Sequence, residues 1–122
     1  MNTVFVYGTL KRGGSNHVFL GGQRYLGDAR TVPGFTLYSL GDYPGMVRAP
    51  GDTAGVTGEL WVVDDGCLAE LDRLEGLDER LYERIDVALA PNHLASSAQT
   101  YLYARPHHGL SPVGDTWPVG NV

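Results

Sequence analysis

The residues of this chain with the types and spacing to do chemistry fall in two places. The first is Tyr7-Gly8-Thr9-Leu10, where the apolar run Val4-Phe5-Val6 stops. Gly8 lets the backbone approach a ligand closely, and successive N–H groups in such a turn can converge on an anion or oxyanion. The second is Glu75, which closes the segment from Asp64, with leucines at 68, 71 and 74 on one helical face and Gly76 as the stop. At a helix C-terminus among core leucines, the negative end of the macrodipole and partial burial both disfavour a charged carboxylate, so its pKa should be raised. A carboxyl tuned in this way can take and return protons near neutrality.

Other chemistries lack their residues. Glu70, Asp72, Glu79 and Glu83 do not combine a helix end with core neighbours, and they read as solvated or salt-bridged surface acids. His17, His93, His107 and His108 show no zinc-ligand spacing, and adjacent histidines on an extended chain point to opposite faces, so no metal site is expected. His17 reads as a hydrogen-bonded structural histidine. There is no Gly-x-Ser-x-Gly elbow, phosphate-binding loop or dinucleotide fingerprint. Cys67 lies inside the proposed helix without a partner in sequence, as a buried structural thiol would.

The elements that must position these residues follow from alternation and β-branched content. Strands are expected near 3–7, 24–32, 35–40, 55–63, 82–89 and 98–104, and helices near 15–21 and 65–75, with Ser15 as N-cap of the first. Pro33-Gly34 and Gly41-Asp42 signal turns. Residues 106–122 carry Pro106, Pro112 and Pro118 with Gly109, Gly114 and Gly120, and read as an irregular strap over the sheet or the pocket. Tyr38, Tyr43, Tyr101, Tyr103 and Trp117 are candidates for pocket walls or plain core. The class is α+β.

Length and charge bound the function. The 122 residues suit one domain over 1–122, and an apolar content of 43% can fill one core. No apolar stretch reaches the roughly 18 residues of a membrane span, and no signal-peptide pattern is present at the N-terminus. A net charge of −5 argues against nucleic acid as a partner, because no basic face is available to release phosphate counterions. One cysteine excludes an internal disulfide and suits a reducing cytoplasm.

Taken in order, several segments resemble the γ-glutamylcyclotransferase-like superfamily, including its γ-glutamylamine cyclotransferase (AIG2-like) branch. They are Val4 to Gly13 followed by Asn16-His17, then Tyr43-Pro44, then Val56-Thr57-Gly58-Glu59-Leu60-Trp61-Val62-Val63, then Leu71 to Gly76 running to Tyr82-Glu83-Arg84. Two departures stand out: Leu77-Asp78-Glu79-Arg80-Leu81 lacks a proline common in relatives, and Trp117 does not directly follow Asp115. The resemblance implies a small mixed-sheet β-barrel with two short helices and a small-molecule γ-glutamyl substrate. It implies that Tyr7, Gly8, Thr9 and Leu10 hold the glutamyl part and that Glu75 is the general acid/base. It also implies intramolecular attack of the α-amine on the γ-carbonyl, releasing 5-oxoproline and a free amine without a cofactor. Tyr82 matches a family tyrosine and either orients the substrate or opens an edge strand. Arg84 is expected to pair with a nearby acid. The alternative is a non-catalytic domain of the same fold that binds a small ligand or a partner.

Overall fold

The first strand, β1 (Asn2–Val6), shows how the sheet is made. Its side chains alternate, so Phe5 packs in one apolar cluster with Leu37, Met46 and Leu60, while Val4 and Val6 pack in another with Trp61 and Leu71. The computed structural model describes residues 1–118. After β1 and a short 3-10 turn at His17–Leu20 come β2 (Arg24–Arg30), β3 (Phe35–Ser39), β4 (Pro44–Arg48) and β5 (Thr57–Val63). Helix α1 (Asp65–Leu74), β6 (Tyr82–Ala88), β7 (Ser97–Tyr103) and β8 (Ser111–Gly114) complete the order. No helix among the described residues is long and apolar enough to cross a membrane.

The strands form one mixed sheet in the order β2-β5-β1-β7-β4-β3-β8, and β6 pairs antiparallel with β7 from end to end. Because β6 occupies one edge of β7, β1 and β4 must share the other. β1 meets β7 in parallel at Val4↔Gln99, and β4 meets it in parallel at Met46↔Leu102. The sheet therefore forks along β7, and β1 ends inside the fork.

The α+β class holds, but the sheet does not close into a barrel. Between β2 and β6 there is one isolated bridge, Thr31↔Leu89, flanked by the backbone bonds Val32 N–H to Ala88 O and Ala90 N–H to Arg30 O. One end of the sheet is thus pinned while the rest stays open.

Helix α1 follows its sequence signals closely. The Asp64 carboxylate accepts from the Cys67 N–H at 2.7 Å, capping the N-terminus. At the other end Gly76 takes φ +66°, its N–H reaches Arg73 O, and the Leu77 N–H reaches Asp72 O, which together form a Schellman close. Leu71 is fully buried, Leu68 and Leu74 are partly buried against the same cluster, and Cys67 is buried beside them.

The expected helix at 15–21 is only the 3-10 turn at His17–Leu20, and Ser15 caps nothing. The chain there is already committed to a tight loop, with Gly14 N–H bonded to Lys11 O and Asn16 N–H to Thr9 O. Two strands, β4 and β8, carry no strand signal in the sequence, because proline and glycine interrupt them. Pro112 is tolerated because β8 lies at the edge of the sheet, and Pro44 begins its strand. The expected irregular strap is therefore in part a strand paired with β3, at Tyr38↔Pro112 and Ser39↔Ser111. Residues 119–122 of that segment, Gly120 included, lie outside the described residues.

Candidate active site

The fork in the sheet sets the position of Tyr7. Immediately after β1, its hydroxyl donates to Tyr101 O at 2.6 Å and accepts the Met46 N–H at 3.2 Å, tying β7 to β4 where the two lower halves of the fork separate. Both partners are backbone groups, so Tyr7 is fixed as a buried strut, and burial holds its hydroxyl well above the usual phenol range.

Beyond Tyr7 the chain turns sharply. The Lys11 N–H bonds Gly8 O at 3.1 Å, Asn16 N–H bonds Thr9 O at 2.9 Å, and His17 Nδ1 lies 3.0 Å from Leu10 O. The carbonyls of Gly8, Thr9 and Leu10 are therefore all engaged within the loop. Among the described residues, the amides of Gly8, Thr9 and Leu10 donate to no protein acceptor. This is a cradle of free donors of the kind anions occupy.

The loop is held from behind by an acid of the β5 segment to which the sequence assigns no role of its own. Glu59, buried on β5, accepts the Arg12 N–H at 3.0 Å and Arg12 Nε at 3.1 Å, and also the Trp61 indole N–H at 3.1 Å. Lys11 is buried too, and its Nζ donates to Trp117 O at 2.7 Å. His17 stacks edge-on against Trp61 with ring centroids 5.3 Å apart. The outgoing arm of the turn is thus anchored on β5 and on the C-terminal segment.

A cavity of about 200 Å³ opens at the fork. Its lining includes Tyr7, Gly8, Thr9, Leu10, Glu75 and Tyr82, which are the residues singled out in the sequence, together with Phe5, Val6, Asn16, Tyr43, Pro44, Leu74, Leu81 and Tyr101. Of the pocket-wall candidates, Tyr43 and Tyr101 line it. Tyr38 instead stacks on His107, Tyr103 stands edge-on to Tyr82, and Trp117 packs against the core.

Glu75 is the lone charged side chain in that lining. Burial pushes its carboxyl from an ordinary 4.5 up to about 7, and no basic partner counters the shift. Tyr82 donates its hydroxyl to Pro44 O at 2.5 Å, pinning the β3–β4 turn to β6. Tyr101 donates to Asp72 Oδ1 at 2.7 Å, and Arg84 pairs with the other Asp72 oxygen. Asp72 sits one helical turn before Glu75, so this salt-bridged acid braces the end of α1 against β6 and β7. Burial raises the hydroxyls of Tyr82 and Tyr101 well beyond the phenol range, so they remain neutral donors.

Among the described residues no cluster of His, Cys, Asp and Glu has the makings of a metal site. The arrangement offers one proton-carrying carboxyl at a pKa near neutrality, a set of free backbone donors and neutral aromatic walls. Those elements suit general acid–base chemistry beside an anion or a developing oxyanion.

The family model described as γ-glutamyl cyclotransferase, AIG2-like, matches residues 4–118. A Vibrio cholerae protein provisionally named a γ-glutamylcyclotransferase is 41% identical over 114 residues, spanning 92% of each chain. The γ-glutamylcyclotransferase family protein YtfP of Escherichia coli K12 is 38% identical over 107 residues, 88% of this chain and 87% of that one. Among solved structures, an AIG2-like protein from Mus musculus superposes with a TM-score of 0.67 at 34% identity, covering 86% of this chain and 77% of its own. The solution structure of ytfP from Escherichia coli gives a TM-score of 0.64 at 34% identity, with 94% of each chain covered.

Proposed function

The chain belongs to the AIG2-like γ-glutamyl cyclotransferase family, and from that premise we propose that it cyclises a γ-glutamyl amine or γ-glutamyl amino acid to 5-oxoproline with Glu75 as general acid/base. The observation that carries this reading is the Glu75 carboxyl, raised to about 7 by burial, in one small cavity with the free amides of Gly8, Thr9 and Leu10.

In the proposed reaction the glutamyl end of the substrate lies in the Tyr7–Leu10 turn, and its α-amine faces its own γ-carbonyl. Glu75 takes a proton from the amine, a C–N bond closes the five-membered ring, and the carbonyl oxygen becomes an oxyanion. Free backbone donors in the cradle suit that oxyanion. Glu75 returns that proton to the leaving nitrogen and takes the second proton from the ring nitrogen, the intermediate collapses as the original amide C–N bond breaks, and the freed amine carries the second proton away as its ammonium. No outside nucleophile is needed, so the protein's chief contribution is to hold the folded conformer.

The shifted pKa matters in magnitude. An ordinary glutamate would accept a proton from an α-amine of pKa near ~8 only at a cost of about 5 kcal/mol. At about 7, the cost falls to roughly 1.4 kcal/mol. Tyr82, by fixing Pro44, serves here to shape the wall that keeps the substrate folded.

The test is product identity. Incubation with γ-glutamyl amines, γ-glutamyl amino acids and glutathione should release 5-oxoproline and free amine in equal amounts. Release of glutamate in place of 5-oxoproline would make water the nucleophile and overturn the cyclisation.

A further inference from the structure

We propose that Tyr43 is the residue by which this site discriminates among leaving amines, favouring those that carry an apolar or aromatic substituent next to the amide nitrogen. The inference rests on the cyclotransferase reading of the site and deepens it.

Size comes first. A cavity of about 200 Å³ is smaller than the roughly 300–1,000 Å³ of sites that enclose a drug-sized ligand. Once the glutamyl unit is folded into it, the leaving amine must lie at the rim. Tyr43 is the lining residue that stands there: it is 39% exposed, while its neighbours Pro44 and Tyr82 are buried.

Hydrogen bonding comes second. The hydroxyls of Tyr7, Tyr82 and Tyr101, the other tyrosines of the lining, all donate to protein acceptors. Among the described residues nothing engages the hydroxyl of Tyr43. It lies near enough to Tyr82 to add, after burial and the effects of Tyr7 and Glu75, to the upward shift of that hydroxyl.

Placement comes third. Tyr43 is held by a turn whose other end is fixed. The Leu40 N–H bonds Tyr43 O at 2.9 Å, Gly41 N–H bonds Ser39 Oγ at 3.1 Å, and the next residue, Pro44, is clamped by Tyr82. A ring on an ordered turn loses little entropy when it meets a substrate, and its exposed face suits an apolar or aromatic amine.

The experiment compares γ-glutamyl methylamide with γ-glutamyl benzylamide in the wild type, Tyr43→Phe and Tyr43→Ala, reading 5-oxoproline release and melting temperature. In Tyr43→Ala the benzylamide-to-methylamide ratio of kcat/KM should fall roughly tenfold, whereas Tyr43→Phe should keep most of it. A ratio in Tyr43→Ala equal to that of the wild type would overturn the inference, as would a proportional loss on both compounds with a lowered melting temperature. Failure of the wild type on both compounds while γ-glutamyl amino acids or glutathione are cyclised would also overturn the inference, and failure on all of them would remove the cyclotransferase reading itself.

Discussion

Gly8 lies so close to the Pro44 ring that a Cβ added to it would stand 2.7 Å from Pro44 Cγ and 2.9 Å from Cδ. The glycine at the heart of the cradle is required first by this contact between the end of β1 and the start of β4. Gly8→Ala should therefore push the two apart, raising KM for a γ-glutamyl substrate and lowering stability by about 1–3 kcal/mol. Denaturant unfolding and steady-state kinetics on the same preparation check both effects; an unchanged KM would separate the cradle from the substrate.

Glu75 makes stability depend on pH with an unusual sign. In the fold its proton is held up to about 7, against 4.5 ordinarily. The folded state thus binds more protons than the unfolded state between those values. The stability this provides is complete below pH 4.5 and is lost as pH rises to about 7, a loss of up to ~3 kcal/mol. Glu75→Gln should remove that slope and melt higher than the wild type at pH 8. A parallel pH dependence of melting in the two proteins would contradict the burial of this carboxyl.

The same titration should appear in catalysis. As a base, Glu75 must be ionised, so kcat/KM for 5-oxoproline formation should rise with pH through a limb near 7. A pH profile that is flat from 5 to 8 would assign the proton transfer to another group.

Glu59 acts at a distance by clamping the loop that follows the cradle. Glu59→Gln keeps one oxygen but loses an acceptor for Arg12, which should cost roughly 1–3 kcal/mol. Its kinetic signature should be a raised KM with the pH limb of kcat/KM unmoved. A shifted limb would show that Glu59 touches the proton chemistry directly.

Asp72 braces the end of α1. Asp72→Ala would leave both the Tyr101 hydroxyl and Arg84 without their carboxylate, at a cost of about 1–3 kcal/mol. Because this frees the helix end that carries Glu75, kcat should fall with the melting temperature, and Asp72→Asn should restore part of each. An Asp72→Ala variant with wild-type kcat would show that Glu75 needs no such brace.

Local signals were the legible part of the sequence. The Asp64 cap, the leucine stripe and Gly76 define α1 because each acts within a turn or two of chain, and their end point puts Glu75 at the helix close. Alternation likewise reveals β1, β5, β6 and β7. By contrast β4 and β8 are strands through their partners: the prolyl-glycyl start of β4 is extended here because β3 and β7 flank it. The fork that makes the cavity is equally non-local, since it depends on two strands sharing one edge of β7. Glu59 stands in the sequence as one residue of a strand segment and Asp72 as a solvated or salt-bridged acid, and it is tertiary pairing with Arg12, Trp61, Tyr101 and Arg84 that gives each its place beside the site. Barrel closure was expected from resemblance alone, and β2 meets β6 at one bridge only.

The most direct test of Glu75 as acid/base is 5-oxoproline release by the wild type and Glu75→Gln, measured by mass spectrometry on one γ-glutamyl substrate with melting temperatures recorded in parallel. If Glu75 holds that role, product is expected from the wild type and none above background from Glu75→Gln, with the amide variant at least as stable above pH 7. Turnover by Glu75→Gln at the wild-type rate would contradict it.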